Sequence, residues 1–267
     1  MQATASRYYR TPGAYAGLDA LLGNLPKAAD PALIADALAG CTTPGQTLVV
    51  GVTGSVAAGK TTFCTAIAAH LGNAVRLDVI STDGFIHPTN ALVERGLLMR
   101  KGFPESYDLS LLSGVLQRAR WGPVNVPGYS HTTYDRAPDL DRTIDRPDIL
   151  IVEGLGFSPS TGQRNPAALL DLLIYIDASE EDLESWFLTR FRAFCEEAAG
   201  NSGSFYARFT SLPPEDRDAF ARQVWQSINL PNLRDHIASA KHHADIVISK
   251  ARDHSMRLSL SALAQGA

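Results

Sequence analysis

Long apolar runs are missing from this sequence. Nowhere do 18 apolar residues stand together, so no membrane-spanning helix is expected. The opening residues, MQATASRYYRTPG, contain no apolar segment of the kind that directs secretion. Cysteine is scarce: Cys41, Cys64 and Cys195 are scattered, with no CxxC and no metal-ligand spacing. That excludes a disulfide framework and makes reduced thiols and a cytoplasmic location the expectation. Charge of one sign is lacking too. Lys and Arg number 24 against 28 Asp and Glu, for a formal net charge of -4, with no long run of either. Phosphate-backbone binding needs a clustered basic face, so nucleic acid is not the expected partner. A small anionic ligand needs only a local positive pocket and stays compatible. Repeats and low-complexity linkers are absent as well.

What is present is an ordinary globular composition. The chain has 267 residues, 45% hydrophobic and 19% charged, enough for one large α/β domain with a substantial core. Residues 1–46 read as a helical preamble, because LDALLGNLP and PALIADALAG carry apolar residues at helical spacing. CTTPGQ then breaks that pattern. From residue 47 to 267 the texture changes. TLVVGVTG, AVRLDVIST, DILIVEG, LLIYIDA and ADIVISK are continuous apolar runs of the kind that form strands covered on both faces. Helical candidates lie between them at Lys60–Leu71, Leu109–Arg120, Glu180–Ala199 and Glu215–Asn229. Alternation of strand and helix predicts an α/β fold with a mostly parallel, five-stranded central sheet and right-handed crossovers. The stretch at about 84–146 is long and loop-rich, and insertions at the carboxyl edge of such a sheet usually build a substrate site.

The first strand runs directly into Gly54-Ser-Val-Ala-Ala-Gly59-Lys60-Thr61, which matches G-x-x-x-x-G-K-[ST] at every fixed position. The apolar strand before it and the helix after it make a chance glycine-rich turn a poor alternative. In such a P-loop, backbone amides from Gly54 and Ser55 through Ala57, Ala58 and Gly59 to Thr62 surround phosphate oxygens. Lys60 adds a point charge, and Thr61 offers a hydroxyl to Mg²⁺. The helix that follows aims its positive end at the same phosphates. Asp83 ends the next strand, where it can accept a proton from an attacking hydroxyl; a turn aspartate before glycine is the plain alternative. Glu153 follows a third apolar strand, at the position where a carboxylate holds Mg²⁺. Asp148 begins that strand and is worse placed. Arg190 and Arg192 lie within a helical candidate. There an arginine either stabilises transferring phosphate or is simply solvated. Tyr129 and His131 are polar-loop residues for which binding and surface turn stand open. His242 and His243 have no third ligand at recognisable spacing and read as surface.

Taken together, the blocks GSVAAGKTT, TDGFIHPTN, ERGL, RKGFPESYD, YSHTTYD, PDILIVEG, IYIDASEEDLESWFLTRF and WQSINLPNL resemble the prokaryotic type I pantothenate kinases. These belong to the P-loop kinase group that also holds uridine kinase and phosphoribulokinase. The P-loop alone selects no substrate; RKGFPESYD together with YSHxxYD is the specific part. The resemblance implies a P-loop NTPase of the mononucleotide-kinase-like, three-layer type, with ATP and Mg²⁺. It implies phosphorylation of pantothenate to 4'-phosphopantothenate, the first step of coenzyme A synthesis, by a homodimer. Carried over by motif, Asp83 faces the pantothenate hydroxyl and Arg190 the transferring phosphate. Tyr129, His131 and Asn229 line the acceptor pocket, and Lys250 and His254 contact the adenine end of the nucleotide.

The sequence also departs from that family. Phe187 stands where a substrate-contacting tyrosine is usual. Thr65 replaces an arginine tied to feedback inhibition. Gly156 replaces an asparagine, GSFYARF is altered, and Ala238 to Lys241 replace an LPTR stretch. These changes keep two alternatives open: a sister kinase acting on another small hydroxyl compound, such as a nucleoside or sugar-like acid, and a non-catalytic nucleotide-binding paralogue.

Overall fold

The structure is a computed structural model that describes residues 29–157 and 165–260. LDALLGNLP lies outside the described residues. Ten strands fall among them: β1 Leu48–Gly54, β2 Leu77–Ser81, β3 Pro123–Val126, β4 Tyr129–Ser130, β5 Asp135–Arg136, β6 Arg142–Asp145, β7 Ile149–Glu153, β8 Leu172–Asp177, β9 Ile246–Lys250 and β10 Met256–Leu260. Six of them form the main sheet in the order β10-β9-β8-β1-β7-β2. β2, β7, β1, β8 and β9 run parallel. All five expected strands are there. β1 and β7 are buried along their whole length, which is why their sequences show no polar alternation.

The sheet has one strand more than the sequence reading expected. β10 turns back antiparallel on β9, with Met256 opposite Lys250 and Leu260 opposite Ile246. Its sequence, MRLSL, alternates apolar and polar residues as a half-covered edge strand does, so it shows no continuous apolar run.

Helices cover the sheet. The one at Pro31–Gly40 starts at Asp30, whose carboxylate accepts from the Ala32 amide at 2.9 Å. It buries Ile34, Ala35 and Leu38 and packs on the P-loop helix Lys60–Leu71. The helix Leu109–Arg118 is capped by Asp108, which accepts from the Leu111 amide at 2.9 Å. Ser179 caps the long helix Glu180–Glu197, and Glu180, Glu181 and Asp182 in its first turn suit the positive end of its dipole. The expected helix ending at Asn229 is α-helical only over Pro214–Val224; Trp225–Asn229 is widened to π geometry. Such widening is common at functional sites.

The main core runs through the sheet and the helices that cover it. A smaller cluster lies apart, built from Leu188, Phe191, Cys195, Ala198, Tyr206, Phe209 and Ala221. It roofs the loop-rich insertion at the carboxyl ends of the strands, where ligands bind in open α/β sheets.

Candidate active site

β1 ends at Gly54, whose φ is +142° and which lies so close to the Ile176 carbonyl of β8 that a side chain has no room. The chain then turns through Ala57 (φ +64°) and Gly59 (φ +91°) before the helix begins at Lys60. Lys60 Nζ donates to the Gly54 carbonyl at 3.1 Å and the Ser55 carbonyl at 2.8 Å, across the mouth of this loop. Burial pulls the Lys60 pKa down, opposed by the charges of Glu153 and Asp83. Ser55 Oγ is buried with no hydrogen-bond partner, a cost that a phosphate oxygen would relieve. Ala58 is buried, and Thr61 and Thr62 open the helix at the surface.

Two carboxylates face this loop. Glu153 closes β7 beside Val52 of β1 and Ser81 of β2. Thr61 Oγ1 donates to Glu153 Oε1 at 3.0 Å. Burial pushes the Glu153 pKa up, while Lys60 pulls it back down. The oxygens of Thr61 and Glu153 form a hard-donor pair that suits Mg²⁺, which binds few protein ligands and keeps phosphate and water oxygens. Asp148 sits at the other end of β7, in an ion pair with Arg76 at 2.9 Å.

Asp83 follows β2 in a 3₁₀ turn, its amide donating to Ser81 Oγ at 3.2 Å. It lines a cavity of about 180 Å³ together with Gly84, Pro127, Tyr129 and His131. Gly84 is pressed against the Pro127 carbonyl, which leaves no room for a side chain. The insertion is thus clamped onto the end of β2, and Asp83, Tyr129 and His131 share one space.

Aromatic contacts hold that insertion in place. Tyr129 meets His131 edge-on at 5.3 Å and Tyr134 at 6.2 Å between centroids. His131 stacks on Phe194 of the long helix at 6.4 Å, and Tyr134 stacks on Phe205 at 4.8 Å. The Phe205 amide donates to the Thr132 carbonyl at 2.7 Å. Burial pushes the Tyr134 phenol up to about 12 and pushes Tyr129 up as well. Arg190 is exposed, with its guanidinium 5.1 Å from the Phe194 ring, and its charge acts on both Lys60 and Tyr134. Arg192 is turned elsewhere, paired with Asp218 at 2.6 Å. Phe187 packs on Trp225 at 5.9 Å, and Asn229, on the same π turn as Trp225, has a buried Nδ2 without a partner. Lys250, at the end of β9, donates to the Ala58 carbonyl at 3.0 Å, so its ammonium sits on the P-loop itself. His254 lies in the turn after β9 and packs on Trp186.

Three residues at the site escaped the sequence reading. Lys101 Nζ lies 4.5 Å from the Tyr134 ring and donates to Thr89 Oγ1 at 3.2 Å and to the Tyr134 carbonyl. Tyr107 is buried near Asp83. Asn232 is buried, its Nδ2 donating to the Gly102 carbonyl at 2.9 Å. The first two sit inside RKGFPESYD and the third inside WQSINLPNL. The blocks stood out, but no spacing within them singles out these side chains.

Residues 49–190, from β1 to Arg190, match the model of the phosphoribulokinase / uridine kinase family. A pantothenate kinase of Streptococcus pneumoniae serotype 19F (strain G54) is 38% identical over 215 residues, covering 78% of this chain and 70% of the relative. The chain belongs to the type I pantothenate kinase family. Solved structures agree on the P-loop kinase fold. A candidate fructose transport system kinase from Silicibacter sp. TM1040 aligns with a TM-score of 0.62 at 21% identity, over 77% of this chain and 92% of that one. D-glycerate 3-kinase from Cryptococcus neoformans var. grubii aligns with a TM-score of 0.55 at 15% identity, over 80% and 90%. Among the chain's described residues, no helix is long and apolar enough to cross a membrane.

Proposed function

We propose that this protein transfers the γ-phosphoryl group of ATP to the hydroxyl of pantothenate, giving 4'-phosphopantothenate and ADP at the entry to coenzyme A synthesis. The observation that carries the acceptor is the 38% identity to pantothenate kinases across most of the chain. The gathering of Lys60, Thr61, Glu153 and Asp83 at the ends of β1, β7 and β2 supports the chemistry.

In this reading the amides of Gly54, Ser55, Ala57, Ala58, Gly59, Lys60, Thr61 and Thr62 cradle the phosphates. Lys60 swings its ammonium from the loop carbonyls onto phosphate oxygens. Thr61 and Glu153 hold Mg²⁺, which would neutralise phosphate charge when bound. Asp83 orients the pantothenate hydroxyl and accepts its proton. As the O–H bond breaks, the oxygen bonds to phosphorus, the bond from phosphorus to the bridging oxygen breaks, and ADP leaves. Arg190 and Lys60 stabilise the charge spread over the transferring group. Tyr129, His131, Phe187 and Asn229 line the acceptor, and the unpaired Asn229 amide supplies a donor for it. Lys250 and His254 serve the nucleotide. The family relationship also carries the expectation of a homodimer in the cytoplasm. It likewise favours a division into an N-terminal segment, 1–46, and a kinase domain, 47–267.

The test is ADP release with Mg²⁺, ATP and pantothenate, alongside a nucleoside and a sugar acid. ADP formation that depends on pantothenate is the expected result. ATP binding with no pantothenate-dependent turnover overturns the proposal.

A further inference from the structure

Trp186 has no part in the reaction as described, yet it touches both Lys250 and His254. It is half-buried on the helix Glu180–Glu197. The Lys250 ammonium lies 4.5 Å from its ring centroid, within cation–π range. The ring of His254 lies 4.9 Å away at an interplanar angle of 30°. Four residues along the same helix stands Arg190, which shares the helix face with Trp186.

Lys250 is what makes these contacts matter. Its Nζ donates to the Ala58 carbonyl at 3.0 Å, and a side-chain carbon placed on Gly59 would come within 2.6 Å of it. The ammonium therefore rests directly on the phosphate-binding loop. Among the described residues no carboxylate is paired with it. Half-burial without an anion leaves the charge poorly compensated, and the face of Trp186 is the group that offsets this. A lysine held by a ring and one carbonyl keeps donors free for an anionic oxygen, which a carboxylate partner would have consumed.

We infer that Trp186 is a positioning residue: its ring holds the Lys250 ammonium on the P-loop and so makes the helix Glu180–Glu197 part of the nucleotide site. The same helix carries Phe187 against Trp225 and Arg190, whose charge acts on Lys60. Nucleotide and acceptor groups are therefore registered on one rigid element.

The inference rests on the reading of the P-loop as an ATP site, but its test needs no acceptor. ATP affinity is measured by calorimetry on the full chain. W186L and K250M each weaken ATP by roughly tenfold. The W186L/K250M double variant is no weaker than either single, because both remove one contact. W186F keeps a ring face and stays within about threefold of wild type. Equal losses in W186F and W186L, or additive losses in the double variant, assign Trp186 to packing alone and overturn the inference. If W186L does not fold, fluorinated tryptophan introduced only at position 186 replaces it, since fluorine empties the ring face of negative charge and nearly preserves its shape. ATP affinity then falls stepwise with fluorine number in the wild-type background and not in K250M. A flat series in the wild-type background overturns the inference. A wild-type chain that fails to bind ATP overturns the functional reading instead, and this inference with it.

Discussion

The two halves of the proposed site, one for the nucleotide and one for the acceptor, are made of different material. The nucleotide half is mostly backbone: a strand end, a loop with left-handed residues at Ala57 and Gly59, a helix start, and carbonyls that hold Lys60 and Lys250. The acceptor half is mostly side chain: rings of Tyr129, His131, Tyr134, Phe194 and Phe205 stacked across segments far apart in sequence. A backbone site tolerates substitution poorly at a few motif positions and well elsewhere. A side-chain site can be retuned one residue at a time, and Phe187, packed on Trp225, is a position where that can be tried.

Mutation can separate the halves. Asp83→Ala gives the largest effect: kcat falls by about a thousandfold, while ATP affinity by calorimetry stays within about twofold of wild type. A parallel loss of ATP affinity would show that the halves are not separable at the end of β2. Asn229→Ala comes next. It removes the buried donor with no partner, and a lost hydrogen bond of about 1–1.5 kcal/mol raises the KM for pantothenate about tenfold and leaves that for ATP unmoved. Phe187→Tyr runs the other way. The added hydroxyl lowers the pantothenate KM by about threefold in steady-state kinetics, at the lower end of hydrogen-bond energies. A raised KM would mean that the pocket has closed around the phenylalanine.

The smallest effect lies at the opposite pole, where neither half reaches. Arg76 donates to Asp148 and holds its carboxyl below the usual carboxylate range. A carboxyl whose folded pKa is depressed contributes stability above its unfolded pKa, and that contribution is lost as pH falls through the folded value. In denaturant titrations, Asp148→Asn is therefore slightly less stable than wild type at neutral pH. The gap closes below about pH 4, and turnover at neutral pH is unchanged.

This division also explains what could be read in the sequence. The five parallel strands were legible because burial on both faces leaves continuous apolar runs, as in TLVVGVTG and DILIVEG. The P-loop was legible because its glycines have conformational and steric tasks that no other residue performs, as at Gly54 against Ile176. Glu153 and Asp83 followed from strand ends. The acceptor half was harder. His131 on Phe194 and Tyr134 on Phe205 are contacts between distant segments, and no local spacing encodes them. Lys101 and Asn232 were missed for that reason. Tyr129 and His131 stood open between binding and surface turn until the family resemblance gave them a role, and Asn229 was named only through it. β10 was missed because its alternating pattern is short and lies beyond the last continuous run. The π turn at Trp225–Asn229 reads as ordinary helix, since the sequence WQSIN carries no local mark of the widening.

Strand order also sets a clock for folding. β1 lies at the centre of the sheet, yet its partners come much later in the chain: Leu48 pairs with Ile149 and Val50 with Leu172. A ribosome that has just finished the P-loop has made a strand with no neighbour to pair with. The loop must wait, unsupported on both sides, until β7 and β8 emerge about a hundred residues later, several seconds at ordinary synthesis rates. Parallel pairings so distant in sequence place this chain among slow folders. The nascent β1, every residue of which is buried in the folded chain, stays exposed to wrong partners during that interval.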